Sequence, residues 1–289
     1  MIEKVICRLL SENEHIAEAM CRYADAPAVF YGDVPNAQDE GWEDGCYPRM
    51  YFAVDWSNDP ERKAAGTLML NIFCVNESEV MPEDIAEKIK TDLSEVFLKD
   101  DATYCIAWER TDGFEMSGDE PKVIGVTMTY QILDFTAVRM NAPCPVTGMM
   151  EYLKENIPEL SVIGMDSFEE IHKLGNDEAA VFVRYASENA DKRQSYSVRW
   201  FDVVLNLHVI AKSHLTRVHY ISQIIRMIEM DTEVILEDGS PMFIERLGIA
   251  AGADMLRTGQ ITASCRYGVL YRDPDAPDLM NAHFARKGE

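Results

Sequence analysis

The feature that most constrains this chain is that it reads twice. Residues 70–78 read LNIFCVNES and residues 205–213 read LNLHVIAKS, so Leu70, Asn71 and Ser78 fall on Leu205, Asn206 and Ser213 at an offset of 135. Residues 95–100 (EVFLKD) fall on residues 233–238 (EVILED) at an offset of 138, and Tyr130 and Leu133 fall on Tyr267 and Leu270 at an offset of 137. Three matches in one order at a nearly constant offset point to a duplicated unit rather than to two segments slid into chance register. With 289 residues the chain is also long enough for two domains.

The local patterns repeat in the same order. Ile2, Ile6, Leu9 and Leu10 share one face of a predicted opening helix, and Met149, Met150 and Leu153 do so over 146–156. Strands are expected over 50–54 and 180–185. A second strand alternates in each half, through Leu68, Leu70, Ile72 and Cys74 and through Val203, Leu205, Leu207 and Val209; period-two alternation marks a half-buried strand. A helix follows in each half. Pro82 opens the first, with Glu83 and Asp84 at its positive end and Ile85, Ile89 and Leu93 as its apolar stripe; Val218, Ile221, Ile225 and Ile228 make the second stripe. Strands over 104–108, 123–133, 242–247 and 260–270 close the halves. The expected fold is therefore α+β: two tandem copies of a small helix–strand–strand–helix–strand–strand module with mostly antiparallel sheets. The modules span 1–140 and 146–272. The two prolines of 141–146 mark the linker, and 273–289 is a C-terminal tail ordered only by a partner, if at all.

Composition narrows the function. Fifty acidic against 27 basic side chains give a net charge of −23, shared between the halves as 28 against 12 in 1–144 and 22 against 15 in 145–289. Such a surface repels phosphate backbones and anionic lipid, so specific nucleic-acid and membrane partners are not expected. Seven cysteines without a C-x-x-C fit a reducing, cytoplasmic setting better than a disulfide framework. Glu3, Lys4 and Arg8 break up any signal pattern at the start, and no run approaches the length of a membrane span.

Candidate chemistry is sparse. His208, His214 and His219 are placed on a strand, in a loop and at a helix start, a spacing that fits no metal motif. Cys74 and Cys265 sit on inward strand positions as small core groups, and Cys144 is expected to be exposed between prolines without a basic neighbour to activate it. No phosphate-cradling glycine motif or nucleophile elbow occurs. No catalytic residue, metal or cofactor is assigned. The unusual stretch is residues 31–48, YGDVPNAQDEGWEDGCYP, a long acidic loop carrying a tryptophan. Asp39, Glu40, Trp42, Glu43 and Asp44 are its candidate protein-interaction residues, with the aromatic as the anchor.

Residues 29–35 (VFYGDVP), followed by 47–52 (YPRMYF), resemble the loop-to-strand signature of bacteriophage tail-completion, or tail-terminator, proteins. The order of elements over 1–135 is similar to theirs. Residues 160–177 lack the tyrosine-glycine-proline pattern, so the second half enters through the repeat alone. The resemblance implies a structural protein of a phage or prophage tail, without catalytic residues, found in the host cytoplasm during assembly and then in the virion tail. Its partners would be other tail or neck proteins and further copies of itself in a ring, typically of six subunits. A two-module chain would close such a ring as a pseudo-sixfold trimer, and an acidic wall suits a DNA conduit. Two alternatives remain open: a bacterial enzyme with a site between the modules, and a cytoplasmic adaptor that binds a protein through the loop at Trp42.

Overall fold

The computed structural model describes residues 2–43, 45–57, 64–78, 80–100, 102–116, 122–136, 140–191, 198–253 and 259–270. The expected tail over 273–289 and the candidate residue Asp44 lie outside them.

The chain opens with α1 (Ile2–Ser11), whose Ile2, Val5, Ile6, Leu9 and Leu10 are buried as the amphipathic spacing requires. A short α2 (Glu14–Ala19) follows, capped by Asn13, which accepts a hydrogen bond from the Ile16 amide at 3.1 Å. β1 (Arg22–Tyr23) and β2 (Ala26–Pro27) form a minimal hairpin. Next come β3 (Val29–Tyr31), β4 (Arg49–Trp56), β5 (Ala64–Val75), α3 (Pro82–Leu93), β6 (Val96–Lys99), β7 (Thr103–Glu115) and β8 (Val123–Asp134). The second half runs α4 (Pro145–Asn156), β9 (Ser161–Val162), β10 (Ile171–Lys173), β11 (Ala180–Ala190), β12 (Val198–Ile210), α5 (His214–Asp231), β13 (Glu233–Ile235), β14 (Pro241–Ile249) and β15 (Ile261–Leu270).

These strands build a seven-stranded sheet, β10-β6-β7-β8-β5-β4-β3, and a six-stranded sheet, β13-β14-β15-β12-β11-β9. The expected α+β module of helix, two strands, helix and two strands is thereby overturned. Among the described residues 46% lie in strands and 24% in helices, and both sheets are curled and mixed. Two physical causes account for the difference. Strands of two or three residues, such as β3, β9 and β10, have no periodicity to read, yet they satisfy backbone groups along sheet edges. β7 also continues well past its apolar part: residues 110–113 are all exposed and remain paired with β8.

The sheets nonetheless share one strand order, β6-β7-β8-β5-β4-β3 against β13-β14-β15-β12-β11-β9. β3 runs parallel to β4, as β9 does to β11, while the other pairs are antiparallel. One side-chain bond recurs as well. Thr127 donates its hydroxyl to Asn71 Oδ1 at 2.7 Å, and Thr262 donates to Asn206 Oδ1 at 3.1 Å, each between directly opposed residues. The bulge at Trp108/Arg110 between β7 and β8 is matched by one at Ile244/Arg246 between β14 and β15. By this pairing Tyr130 corresponds to Cys265 and not to Tyr267. The match read at 137 is therefore displaced by two residues, which leaves the inward face unchanged.

Each sheet packs its helices on one face. α1, α2 and α3 cover Met50, Phe52, Leu68, Leu70, Ile72, Met128 and Tyr130 in one core. α4 and α5 cover Val181, Val183, Leu205, Leu207, Ala263 and Cys265 in another. Several local expectations change. α4 starts at Pro145, inside the expected linker, and α5 starts at His214, so His214 is helical and His219 lies inside the helix. α5 buries Tyr220, Ile221, Ile224 and Ile228, while Val218 is exposed. The stripe through Val218 and Ile225 is displaced because the helix meets β12 and β14 on the face carrying Ile224.

Candidate interaction surface

The most consequential surface is the one the two halves already share. Phe97, Cys105, Leu133 and Phe135 project from the first sheet on the side away from its helices. They meet Ile163, Phe168, Leu174, Ala180, Phe182 and Ile210 of the second half in a third buried cluster. Phe97 stacks on Phe168 with ring centroids 5.2 Å apart, and Phe135 packs on Phe182 at 5.1 Å. The contact is heterologous: one face of the first sheet meets a different part of the second half, the rim at β11 and its preceding loop. β10 completes it by crossing over to pair antiparallel with β6, Ile171 opposite Leu98. The Lys99 amide donates to the Glu170 carbonyl at 2.9 Å, and Arg8 pairs with the Glu170 carboxylate at 2.5 Å.

Two polar groups border this junction. Asp92 accepts from Asn13 Nδ2 at 2.9 Å and lies 2.6 Å from His15 Nδ1. Burial works against its charge, but the bonds from Asn13 and His15 and the charges of His15 and Lys173 outweigh that, so its carboxyl titrates below the usual range. Lys173 belongs to β10, so this carboxylate also senses the second half. Glu95 behaves oppositely. Burial pushes its carboxyl up, and the charges of Arg217 and Lys212 only partly offset this. A carboxyl raised in the folded state favours folding while protonated, and that contribution is lost as pH rises from about 4, the unfolded value. Glu95→Gln is therefore expected to raise the urea midpoint at pH 7 and to leave it unchanged below about pH 4. An equal gain at both pH values would rule out the charge as its cause.

The loop expected to carry the interaction site joins β3 to β4. Its tryptophan is turned inward. Trp42 makes edge contacts with Tyr23 at 5.0 Å and Phe30 at 5.8 Å, bridges to Tyr23, and donates Nε1 to the Asn36 carbonyl at 2.8 Å. Asp39 Oδ2 accepts from the Asn36 amide at 3.0 Å. Glu43 accepts from the Asp25 amide at 2.7 Å and faces Arg22 at 3.7 Å. Glu40 is exposed. Trp42 thus holds the loop to the β1–β2 hairpin, while residues 32–33 and 36–40 and Glu43 are exposed. Behind it, the Arg49 guanidinium lies over Tyr47 at 4.5 Å and within 5.9 Å of both Trp42 and Phe73; its Nε and Nη1 are shielded from solvent without a hydrogen-bond acceptor. Sequence reasoning overlooked this arginine, whose only signal was its place among aromatics in residues 47–52.

Cys144 is buried, contrary to expectation, and caps α4 by accepting from the Thr147 amide at 3.5 Å. The first turn of α4 packs into the core and takes Cys144 with it. Burial pushes the Cys74 thiol up to about 11 and the Cys265 thiol up to about 12, away from nucleophilic use near neutrality. His208 is buried beside Phe182, at 6.2 Å, whereas His214 lies 3.0 Å from Arg217 on the surface. No group of three or more metal-ligating side chains occurs among the described residues, and no helix there is long and apolar enough to cross a membrane.

No protein-family model, curated protein or solved structure matches this chain.

The second sheet has an outward apolar row of its own. Ile235 of β13, Phe243 of β14 and Leu270 of β15 are 56%, 39% and 71% exposed. Trp200 packs against Phe243 at 6.4 Å and lies over Gly268, where a Cβ would meet its ring at 3.3 Å. Beside the row, Arg266 binds Asp191 at 2.8 Å and Asp202 at 3.0 Å and faces Glu245 at 3.7 Å, linking β12, β14 and β15.

Proposed function

We propose that this chain is a structural protein of a phage or prophage tail, in the tail-completion or head–tail joining position, and that it acts by protein–protein assembly rather than by catalysis. The observation that carries the reading is the heterologous contact between its halves. A face that joins one sheet-and-helix unit to the next without self-pairing is the geometry from which rings are built. The segments that resemble tail-terminator proteins, 29–35 and 47–52, form β3, its following loop and the start of β4, so the resemblance falls on one continuous rim of the first sheet. The net charge of −23 suits a collar through which DNA passes without adhering. The role is tested by deleting the coding sequence from its genome and imaging the particles released on induction. Unjoined heads and tails, or tails of irregular length, are expected. Complete, infectious particles in undiminished number would overturn it.

A further inference from the structure

The shared strand order allows each position of the first sheet to be compared with its counterpart in the second. Phe97 is opposite Cys105, and Ile235 is opposite Pro241; the β7–β8 and β14–β15 ladders then equate Ala107 with Phe243 and Phe135 with Leu270. In the first sheet Phe97 and Phe135 are buried and Ala107 packs beside them, all covered by the second half. In the second sheet the three counterparts are apolar and exposed. The two faces also differ in part: Pro241 and Gly268 stand where the first sheet has Cys105 and Leu133, and Trp200 of the same sheet lies over Gly268.

The sheet edges differ in the same way. β6 is capped by β10, whereas no strand among the described residues pairs with the open side of its counterpart β13. The Thr232 carbonyl accepts from Ile244 of β14 and the Leu236 amide donates to the Ser240 carbonyl just before it, so by the alternation of an antiparallel ladder the backbone groups of Glu233 and Ile235 face away from β14, the Ile235 carbonyl lying beside Gly148 of α4. An unpaired edge beside an apolar row is a template for an added strand.

The identity of that strand follows from the intramolecular case. β10 lies in the connection between β9 and β11, residues 163–179. The corresponding connection in the first half, between β3 and β4, is residues 32–48 and has the same length of 17 residues. Within one chain it is on the far side of the first sheet from β6. We infer that the β13 edge and the row of Ile235, Phe243 and Leu270 receive the β3–β4 loop and the adjoining rim at Tyr47, Arg49 and Phe73 of a second copy of this chain, so that copies join head to tail by repeating the junction each already contains. Arg49 and Phe73 are the counterparts of Phe182 and His208, which border the internal junction. The shielded, acceptor-free Nε and Nη1 of Arg49 then lie at the contact. A head-to-tail contact of this kind closes into a ring or runs on as a filament.

This inference deepens the assembly role proposed above, but its test uses the purified chain alone. Ile235→Pro removes an outward-facing amide and trims one side chain of the row, changes that edge strands tolerate. Val34→Asp alters the donated loop. Circular dichroism melts check that both variants fold as the parent does, and Ile235→Lys replaces the first if proline unfolds β13. Sedimentation velocity is expected to show a closed oligomer for the parent and monomers for each variant. An equimolar mixture of the two variants restores one intact junction and should give a dimer. A parent that stays monomeric at every concentration, an oligomer unaffected by either variant, or a mixture that stays monomeric would each overturn the inference. So would an oligomer lost on removing 271–289 but kept in Ile235→Pro, because the C-terminal segment would then be the occupant. A monomeric parent together with defective particles in the deletion would overturn the junction and leave the tail role standing.

Discussion

Replacing Phe97 by alanine is expected to destabilise the chain by about 3–5 kcal/mol, the usual cost of emptying a buried aromatic site. Phe97 is fully buried, and it touches both halves: Phe168 stacks on it at 5.2 Å, Phe135 lies at 6.2 Å, and its backbone is paired with β10 on one side and β7 on the other. Urea unfolding followed by tryptophan fluorescence measures the cost. Thermal unfolding should also change character, because the two large cores lose the side chain that couples them, and one transition should broaden or divide into two. A loss below about 1 kcal/mol would be too small for a filled aromatic site and would show that this junction is not packed as described. Ile235→Ala, at the counterpart position, is expected to cost the isolated chain almost nothing, because Ile235 is exposed.

Leu70→Ala and Leu205→Ala are expected to cost about 2–5 kcal/mol each, and their effects should be confined to different parts of the molecule. These leucines occupy matching positions in β5 and β12, opposite Met128 and Ala263. Both are fully buried, but they belong to separate cores. Native-state hydrogen exchange separates them. Leu70→Ala should weaken protection along β5 and β8 while leaving β12 and β15 near their parent values, and Leu205→Ala should do the reverse. Equal loss of protection in both ladders from either substitution would mean that one continuous interior serves both sheets, and the two-core description would fail.

The parts of the fold that were legible in the sequence are those with a long, clean period. β5 alternates along most of its length and β12 through its middle, and the inward residues named from sequence, from Leu68 to Cys74 and from Val203 to Val209, are all buried. The helical face of α1 was equally plain. Elsewhere the pattern was absent or ambiguous. β3, β9 and β10 are too short to carry a period, and the outer half of β7 is polar on both faces, so the strand-rich character of the fold was not visible. α5 has apolar residues around much of its circumference, and the choice between Val218 and Ile224 as the buried one was made by contact with β12 and β14. For Trp42, an acidic neighbourhood suggested an exposed anchor, whereas the tertiary partners Tyr23 and Phe30 drew it inward.

By itself, the sequence determined the long alternating strands β5 and β12, because alternation is a local property of each segment and recurs at an offset of 135. Only the tertiary structure decided that one outer apolar row is covered and the other left bare. Burial of a sheet's outer face depends on which distant segment reaches it, and β10 reaches β6 but leaves β13 open. No spacing within β6 or β13 encodes that difference, since the free energy that distinguishes them comes from surface removed from water by residues some seventy positions away.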